Sequence, residues 1–206
     1  MKKLLFVCTI LASCSNLNNA IKVVKCENHL CYDKDGNLAN GIEYLKHEDG
    51  ITTETPYVNG KIHGEAFEYY ENGNLATKKI WVDNSLNGQM TSYYPSGNIE
   101  SVGNYKNGIL DGKYIRYYDS NNKNIESEEI WKNKKLNGEA VDYYENGNIQ
   151  RKRNYKDGKR DGEFIDYNED GTINRNTYSY STTINIKGTI NGNITINALE
   201  INIDDD

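Results

Sequence analysis

Residues 64–87, GEAFEYYENGNLATKKIWVDNSLN, decide the fold because they recur. A glycine opens each copy, at Gly41, Gly64, Gly88, Gly112, Gly138 and Gly162, with intervals of 23, 24, 24, 26 and 24 residues. Shortly after the glycine comes an aromatic pair: Tyr69-Tyr70, Tyr93-Tyr94, Tyr117-Tyr118 and Tyr143-Tyr144, reduced in the last copy to Tyr167-Asn168. A turn signal follows, as in Glu71-Asn72-Gly73-Asn74 and Glu145-Asn146-Gly147-Asn148. A second aromatic closes the unit at Tyr57, Trp81, Tyr105, Trp131, Tyr155 and Tyr178. A fixed period of this length is the signature of a repeat architecture.

Each copy reads as two strands around a tight turn. In a strand, alternate side chains point to opposite faces. Phe67 and Tyr69 then share one face, and the same slots hold Thr91/Tyr93, Ile115/Tyr117, Val141/Tyr143 and Ile165/Tyr167. That face is expected to be the apolar, packed one. The other carries Ala66 and Tyr70 with Glu68, Ser92, Arg116, Asp142 and Asp166, and is wetter. Asn72-Gly73 and Asn146-Gly147 are hairpin signals, since both residue types tolerate positive φ. A second set of turns, such as Asn59-Gly60, Asn107-Gly108 and Asp157-Gly158, joins one copy to the next. Asp83-Asn84-Ser85-Leu86 and Lys132-Asn133-Lys134-Lys135 lack the glycine there, and asparagine can partly replace it. The fourth copy absorbs two extra residues around Ser120-Asn121-Asn122-Lys123. Nothing has a helical period, so the expectation is an all-β, elongated antiparallel meander of tandem hairpins. The opening glycine is expected to allow a bend or a close approach of neighbouring ribbons.

Composition agrees with a thin core. Tyrosine (17) and glycine (18) are abundant, and 36% of the 206 residues are apolar. Repeat sheets can fold on this because each copy covers its neighbour. The formal charge is −6, and it becomes −8 if a leader containing Lys2 and Lys3 is removed. An acidic repeat region argues against broad binding to nucleic acid or anionic lipid.

Residues 1–14 have a basic start, Lys2-Lys3, then an apolar run over 4–12 that is too short to span a bilayer. Leu11-Ala12-Ser13-Cys14 resembles the lipobox of bacterial lipoproteins, which implies cleavage before Cys14 and lipidation of its sulfur. The alternative is an ordinary secretory leader cut after Ala20. Both readings export the chain. Ser15 after the cysteine implies, by the same resemblance, the outer membrane where the cell has one. Residues 15–31 form a tether and a loop containing Cys26 and Cys31. In an oxidising compartment this pair is expected to bridge. A metal site with His29 has three ligands and lacks a fourth.

Residues 32–178 hold the repeats. Residues 179–206 change character, alternating Ile184, Ile186, Ile190, Ile194 and Ile196 with polar residues. They read as further strands forming a β-rich C-terminal cap, which repeat arrays need; the alternative is a self-associating β edge.

His29, His47 and His63 share no ligand spacing, and no nucleophile elbow, zinc-protease or phosphate-loop motif occurs. Glu68 and Lys79 read as a surface ion pair across a hairpin. The chain is therefore read as non-enzymatic, with no cofactor and no metal. The first tyrosines of each pair read as packing. The second row, Tyr70, Tyr94, Tyr118 and Tyr144, is the candidate binding strip, because a phenol gives large contact area with a polar tip.

The unit Gly-x₄-Tyr-Tyr-Glu-Asn-Gly-Asn-Leu/Ile, followed by Tyr-Lys-Asn/Asp-Gly-Lys, resembles the bacterial MORN-repeat variant over residues 37–178. Many members of that family bear a YwqK-type antitoxin label, and eukaryotic MORN repeats are associated with membranes and scaffolding. The resemblance implies MORN-type hairpins and a protein-binding role. The expected function is a cell-envelope lipoprotein whose sheet is a protein-interaction or adhesin-like scaffold, attached to the membrane through its lipid. The alternatives are cell-wall carbohydrate or peptidoglycan binding by the tyrosine strip, and antitoxin-type partner binding.

Overall fold

The structure is a computed structural model that describes residues 20–120 and 123–179. The leader with Cys14 and the cap expected after Ser179 lie outside the described residues. Among these residues there is no helix, and the strands form an all-β meander. The chain divides into two compact units, Met1–Leu110 with Asp119–Lys123, and Asp111–Tyr118 with Asn124–Asp206.

The first unit contains β1 (Ala20–Ile21), β2 (Val23–Glu27), β3 (Leu30–Asp33), β4 (Gly41–Lys46), β5 (Thr52–Val58) and β6 (Lys61–Ile62). It continues with β7 (Gly64–Tyr69), β8 (Leu75–Val82), β9 (Ser85–Leu86), β10 (Gly88–Tyr93) and β11 (Ile99–Lys106). The second holds most of β12 (Ile109–Tyr117), from Asp111 on, with β13 (Ile125–Lys132), β14 (Lys135–Tyr143), β15 (Ile149–Lys156), β16 (Lys159–Tyr167) and β17 (Ile173–Ser179). In the first unit the sheet follows chain order from β4 onward, with the short β6 and β9 pairing back on β5 and β8, and in the second unit the strands again pair in chain order up to β17. β1 adds to β4 in parallel, and β2–β3 form a separate hairpin.

Two kinds of turn alternate, and their geometry corrects one expectation. At Asn59-Gly60 (φ 50° and 76°), Asn107-Gly108 (51° and 75°) and Asp157-Gly158 (50° and 84°) both central residues are left-handed. This is the two-residue turn whose twist suits a hairpin. Asp83-Asn84 (48° and 68°) and Asn133-Lys134 (50° and 67°) adopt it without glycine. In the Glu-Asn-Gly-Asn loops only the glycine is left-handed, Gly73 at 84° and Gly147 at 90°. There the Gly73 amide donates to the Tyr70 carbonyl (2.9 Å) and the Tyr70 amide to the Asn74 carbonyl (2.9 Å). This is an ordinary turn followed by a left-handed glycine, so Asn72 and Asn146 are not there for backbone freedom.

Their side chains serve instead. Asn72 Oδ1 accepts from the Asn74 amide (2.9 Å), and the Nδ2 groups of Asn72 and Asn74 both donate to the Pro95 carbonyl (2.9 and 2.8 Å) in the next copy. Asn146 and Asn148 do the same to the Glu169 carbonyl (3.3 and 2.9 Å), and Asn124 reaches the Glu145 carbonyl (2.6 Å). The opposite turns are tied too: the amides of Gly60, Asn84, Gly108 and Gly158 donate to the carbonyls of Ala39, Ile62, Leu86 and Leu136 at 2.8–2.9 Å.

The β4–β5 ladder is unbroken, but a bulge recurs in every hairpin from β7–β8 onward. Glu68 faces Thr77 but Tyr69 faces Leu75, which leaves Ala76 as the extra residue. Glu100, Glu126, Gln150 and Asn174 occupy the same place in later copies. One extra residue interrupts the alternation of faces and bends the strand. The opening glycine has a positive φ in every copy, from 99° at Gly162 to 135° at Gly41. Gly138 has φ 134°, and a Cβ there would lie 3.1 Å from the Ile130 Cβ. Gly88 meets Ile80 in the same way.

The expected division into a packed and a wet face does not hold. Val141 and Ile165 are buried on the face of the first tyrosines, but Ala66, Ala140 and Phe164 are buried on the other. The first tyrosines, Tyr69, Tyr93, Tyr117, Tyr143 and Tyr167, are only half-buried. Each face is shielded mainly by neighbours in the same sheet, so small side chains disappear while large rings stay partly open.

At the N-terminal end, Cys26 and Cys31 are paired across β2–β3 and joined by a disulfide. This hairpin is anchored to the repeats: the Cys31 amide donates to the Gly60 carbonyl (2.7 Å), and Asn84 Nδ2 donates to the His29 carbonyl (2.7 Å).

Replacing Gly138 by Ala is expected to cost about 2 kcal/mol, since backbone strain and the close Ile130 contact act together. Gly147→Ala, with nothing within 4 Å of the added Cβ, is expected to cost about half that. Equal losses in urea unfolding would show that the approach to Ile130 does not matter.

Candidate functional site

The expected binding strip lies just beyond the first strand of each hairpin, where the loop begins. Tyr70, Tyr94, Tyr118 and Tyr144 are all half-buried. Their hydroxyls are not idle. Tyr70 donates to the Tyr93 carbonyl (2.6 Å), Tyr118 to the Tyr143 carbonyl (2.7 Å) and Tyr144 to the Tyr167 carbonyl (2.9 Å). Each bond crosses from one copy to the next. Burial raises the pKa of Tyr70 and Tyr118, and Glu100 or Glu126 nearby adds to it. In each unit these positions therefore offer ring surface, with the polar tips of Tyr70, Tyr118 and Tyr144 committed to the backbone.

Beside it runs a face of paired charge. In the second unit, Asp142, Arg151, Asp166 and Arg175 stand directly opposite one another across β14–β17. Arg151 Nε donates to Asp166 Oδ1 (2.6 Å), Arg175 Nη2 lies 3.1 Å from Asp166 Oδ2, and Arg153 Nη2 donates to Asp142. Burial alone pulls the Asp166 carboxyl upward, but Arg151 and Arg175 outweigh it and hold the pKa below the usual range. In the first unit, Glu68 accepts from Lys79 Nζ (2.7 Å) and Thr77 Oγ1 (2.8 Å). Cross-strand pairs of this kind contribute a few tenths of a kcal/mol up to about 1. They give the face alternating sign rather than a single-sign field.

A recess of about 80 Å³ lies among Thr53, Thr55, Ala66, Glu68, Lys79 and Trp81. Small-molecule sites run to roughly 300–1,000 Å³, so it suits a side chain better than a substrate. Among the described residues no cluster of His, Cys, Asp and Glu can hold a metal ion. His47 Nε2 lies 3.3 Å from Thr53 Oγ1, and His63 Nδ1 lies 3.4 Å from Asp83. His29 sits exposed in the disulfide hairpin turn.

Two buried acids escaped the sequence reading. Glu43 is 6% exposed, accepts the Val23 amide (2.8 Å), and bonds the Tyr57 hydroxyl. Its column was informative: later copies have Ala66, Met90, Tyr114, Ala140 and Phe164 there. Glu54 is 7% exposed, receives the Tyr69 hydroxyl, and has no partner for Oε1. Burial pushes the Glu54 pKa up, against a smaller opposing effect of the Tyr69 bond. Burial, then the nearby Glu54 charge, raises Tyr69 in turn.

The repeating hairpin, its bulge and its two stitched edges can now be set against known families. Residues 62–83, 86–107 and 136–157 each match the model of the MORN repeat variant. These three segments are similar to MORN repeats. The copies opening at Gly112 and Gly162 lie outside the matched segments but have the same bulge. No curated protein matches the chain. MORN repeats often mediate protein or membrane interactions and are typically non-enzymatic scaffolds.

Tyr118→Phe keeps the ring and loses the bond to Tyr143, so it is expected to destabilise the fold by about 1 kcal/mol. Glu54 makes a pH-dependent prediction. Its folded pKa lies above its unfolded value, so its contribution is fully present below the unfolded pKa and is lost as pH rises through the folded one. Glu54→Gln should therefore be more stable than the native chain at pH 7, with the gain shrinking toward about pH 4. Urea midpoints at both pH values check this; a pH-independent difference refutes it.

Proposed function

We propose that the protein is a non-enzymatic envelope lipoprotein, lipidated at Cys14, whose MORN-type sheet is a scaffold for a protein partner. The observation that supports this best is the set of half-exposed rings at the same repeat position, Tyr70 and Tyr94 in the first unit and Tyr118 and Tyr144 in the second. The backbone bonds of Tyr70, Tyr118 and Tyr144 fix the rings before any partner arrives. Rigid aromatic area is a cheap source of affinity, because little side-chain entropy remains to be lost. Export rests on the basic and apolar leader ending in Leu11-Ala12-Ser13-Cys14. It also accords with the Cys26–Cys31 bridge, which suits an oxidising compartment.

A scaffold of this kind gains from repetition. Several weak contacts at one spacing act together, so avidity exceeds any single contact. Sugar rings could use the same strip, but the bound hydroxyls of Tyr70, Tyr118 and Tyr144 leave less polar recognition for a neutral glycan. Antitoxin-type binding requires a partner in the cytoplasm and fits an exported chain poorly.

The test is cross-linked capture from intact cells with the full chain and two double variants. Tyr94→Phe/Tyr118→Phe should retain the captured protein, and Tyr94→Ala/Tyr118→Ala should lose it while remaining folded by circular dichroism. Loss in both, retention in both, or capture of cell-wall glycan alone refutes the proposed strip. In parallel, a palmitate analogue should label the native chain and not Cys14→Ala. A native chain that stays unlabelled and cytoplasmic returns the antitoxin reading.

A further inference from the structure

The net charge of −6 conceals a segregation by turn type. In the second unit the three-residue loops at one edge carry Glu145, Glu169 and Asp170. The two-residue turns at the other edge carry Lys132, Lys134, Lys135, Lys156, Lys159 and Arg160, all exposed, with Asp157 among them and Asp161 just after. The two basic turns are in contact: the Gly158 amide donates to the Leu136 carbonyl (2.9 Å), and a Cβ on Gly158 would lie 3.7 Å from the Lys135 Cβ. The ion pairs of this unit lie on the sheet faces, through Lys113, Arg116, Arg151, Lys152, Arg153 and Arg175. Among the described residues none of them involves Lys132, Lys134, Lys135 or Lys156. At the first turn position Val58 and Val82 give way to Lys106, Lys132 and Lys156.

Lys134 is the informative residue. It has φ 67°, where the sister turns place Gly60, Asn84, Gly108 and Gly158. A lysine gains nothing from that backbone and is strained by it. Held-in strain at a solvent-exposed position points to use of the side chain.

The geometry points to this basic edge as a docking surface for a linear acidic polysaccharide. Successive copies repeat every two strands, so cations recur about 10 Å apart in a line. A linear polymer with regularly spaced carboxylates matches such a row. A membrane surface fits less well, because the two turns present charge without an exposed large apolar residue to insert. Nucleic acid fits less well because no exposed aromatic lies between the lysines to stack on bases. The negative total charge does not prevent docking. At physiological salt the screening length is about 8 Å, so a chain on this edge feels the local lysines before the distant acids. The inference is independent of the tyrosine strip, which lies at the loops of the opposite edge.

The test uses the full chain and polygalacturonate as probe, with the fluorescence of Trp131, adjacent to Lys132, as one readout and co-sedimentation as another. Neutral dextran, phosphatidylglycerol vesicles and single-stranded DNA are the comparison ligands. Polygalacturonate should bind, dextran should not, and affinity should fall as salt rises from about 50 to about 200 mM. Lys134→Gly should weaken binding roughly fivefold, the effect of one lysine at an anionic surface. The same change relieves the turn, so Tm should rise by about 2–4 °C. Lower affinity with higher stability separates a binding lysine from a folding one. Lys61→Gln, in a turn of the first unit, should change nothing. Unchanged affinity in Lys134→Gly, equal binding of dextran, or binding only of vesicles or of DNA overturns the assignment.

Discussion

Everything in this fold depends on the bonds that cross from one copy to the next. A hairpin of two dozen residues cannot bury enough surface to be stable alone. Here the join is made at both edges by repeated polar contacts to backbone carbonyls. The amides of Gly60, Asn84, Gly108 and Gly158 tie one edge, while Asn72, Asn74, Asn146 and Asn148 tie the other with their side chains. The tyrosine hydroxyls of Tyr70, Tyr118 and Tyr144 add a third line beside the asparagines, at the loop edge. The asparagine amides reach exposed loop carbonyls of the next copy, so these contacts fix the register between neighbours rather than satisfy buried groups. This explains how a chain with so few buried large side chains holds one register.

That constraint separates the residues that repeat from those that vary. The glycine, tyrosine and asparagine columns repeat because they form the joints. Columns between joints are free to differ: Ala66, Met90, Tyr114, Ala140 and Phe164 fill one, and Glu43 stands at its head with the Val23 amide and Tyr57. The face charges vary likewise, yet settle into opposed pairs such as Asp142–Arg151 and Asp166–Arg175. The most repeated residues are therefore structural, and individuality resides in the columns that do not repeat. Lys134, which departs from its column at a cost in backbone strain, follows the same logic.

The period, the strands and the all-β meander were legible in the sequence, because six glycines and their following tyrosines mark them directly. The Cys26–Cys31 pair, expected to bridge if the chain is exported, is joined by a disulfide in the structure. The face assignment was not legible. Alternation predicts faces only while the ladder is unbroken, and Ala76, Glu100, Glu126, Gln150 and Asn174 each insert an unpaired residue. A bulge of this type leaves no composition mark, since Ala, Glu, Gln and Asn all occupy it. The role of Asn72 was misread for a related reason. Asn-Gly serves both turn types, and only the hydrogen-bond closure distinguishes a left-handed asparagine from one that donates through its amide. Glu54 was hidden because its column also holds Lys78, Val102, Glu128 and Lys152, so nothing in the sequence singles it out as buried.

A periodic sheet also constrains the kind of function it can host. Catalysis needs unlike groups converging on one point, whereas translation by a repeat sets like groups side by side at equal spacing. Rows of tyrosine rings and rows of lysines are what this symmetry produces, and rows suit extended partners that meet several copies at once. Binding energy then accumulates along the sheet without requiring any deep pocket, consistent with the shallow recess near Lys79. The rows also differ along the chain: Val58 and Val82 stand where later copies place Lys106, Lys132 and Lys156. Because those positions lie outside the joints, exchanging valine for lysine alters what the edge can hold while leaving the bonds that hold the copies together untouched.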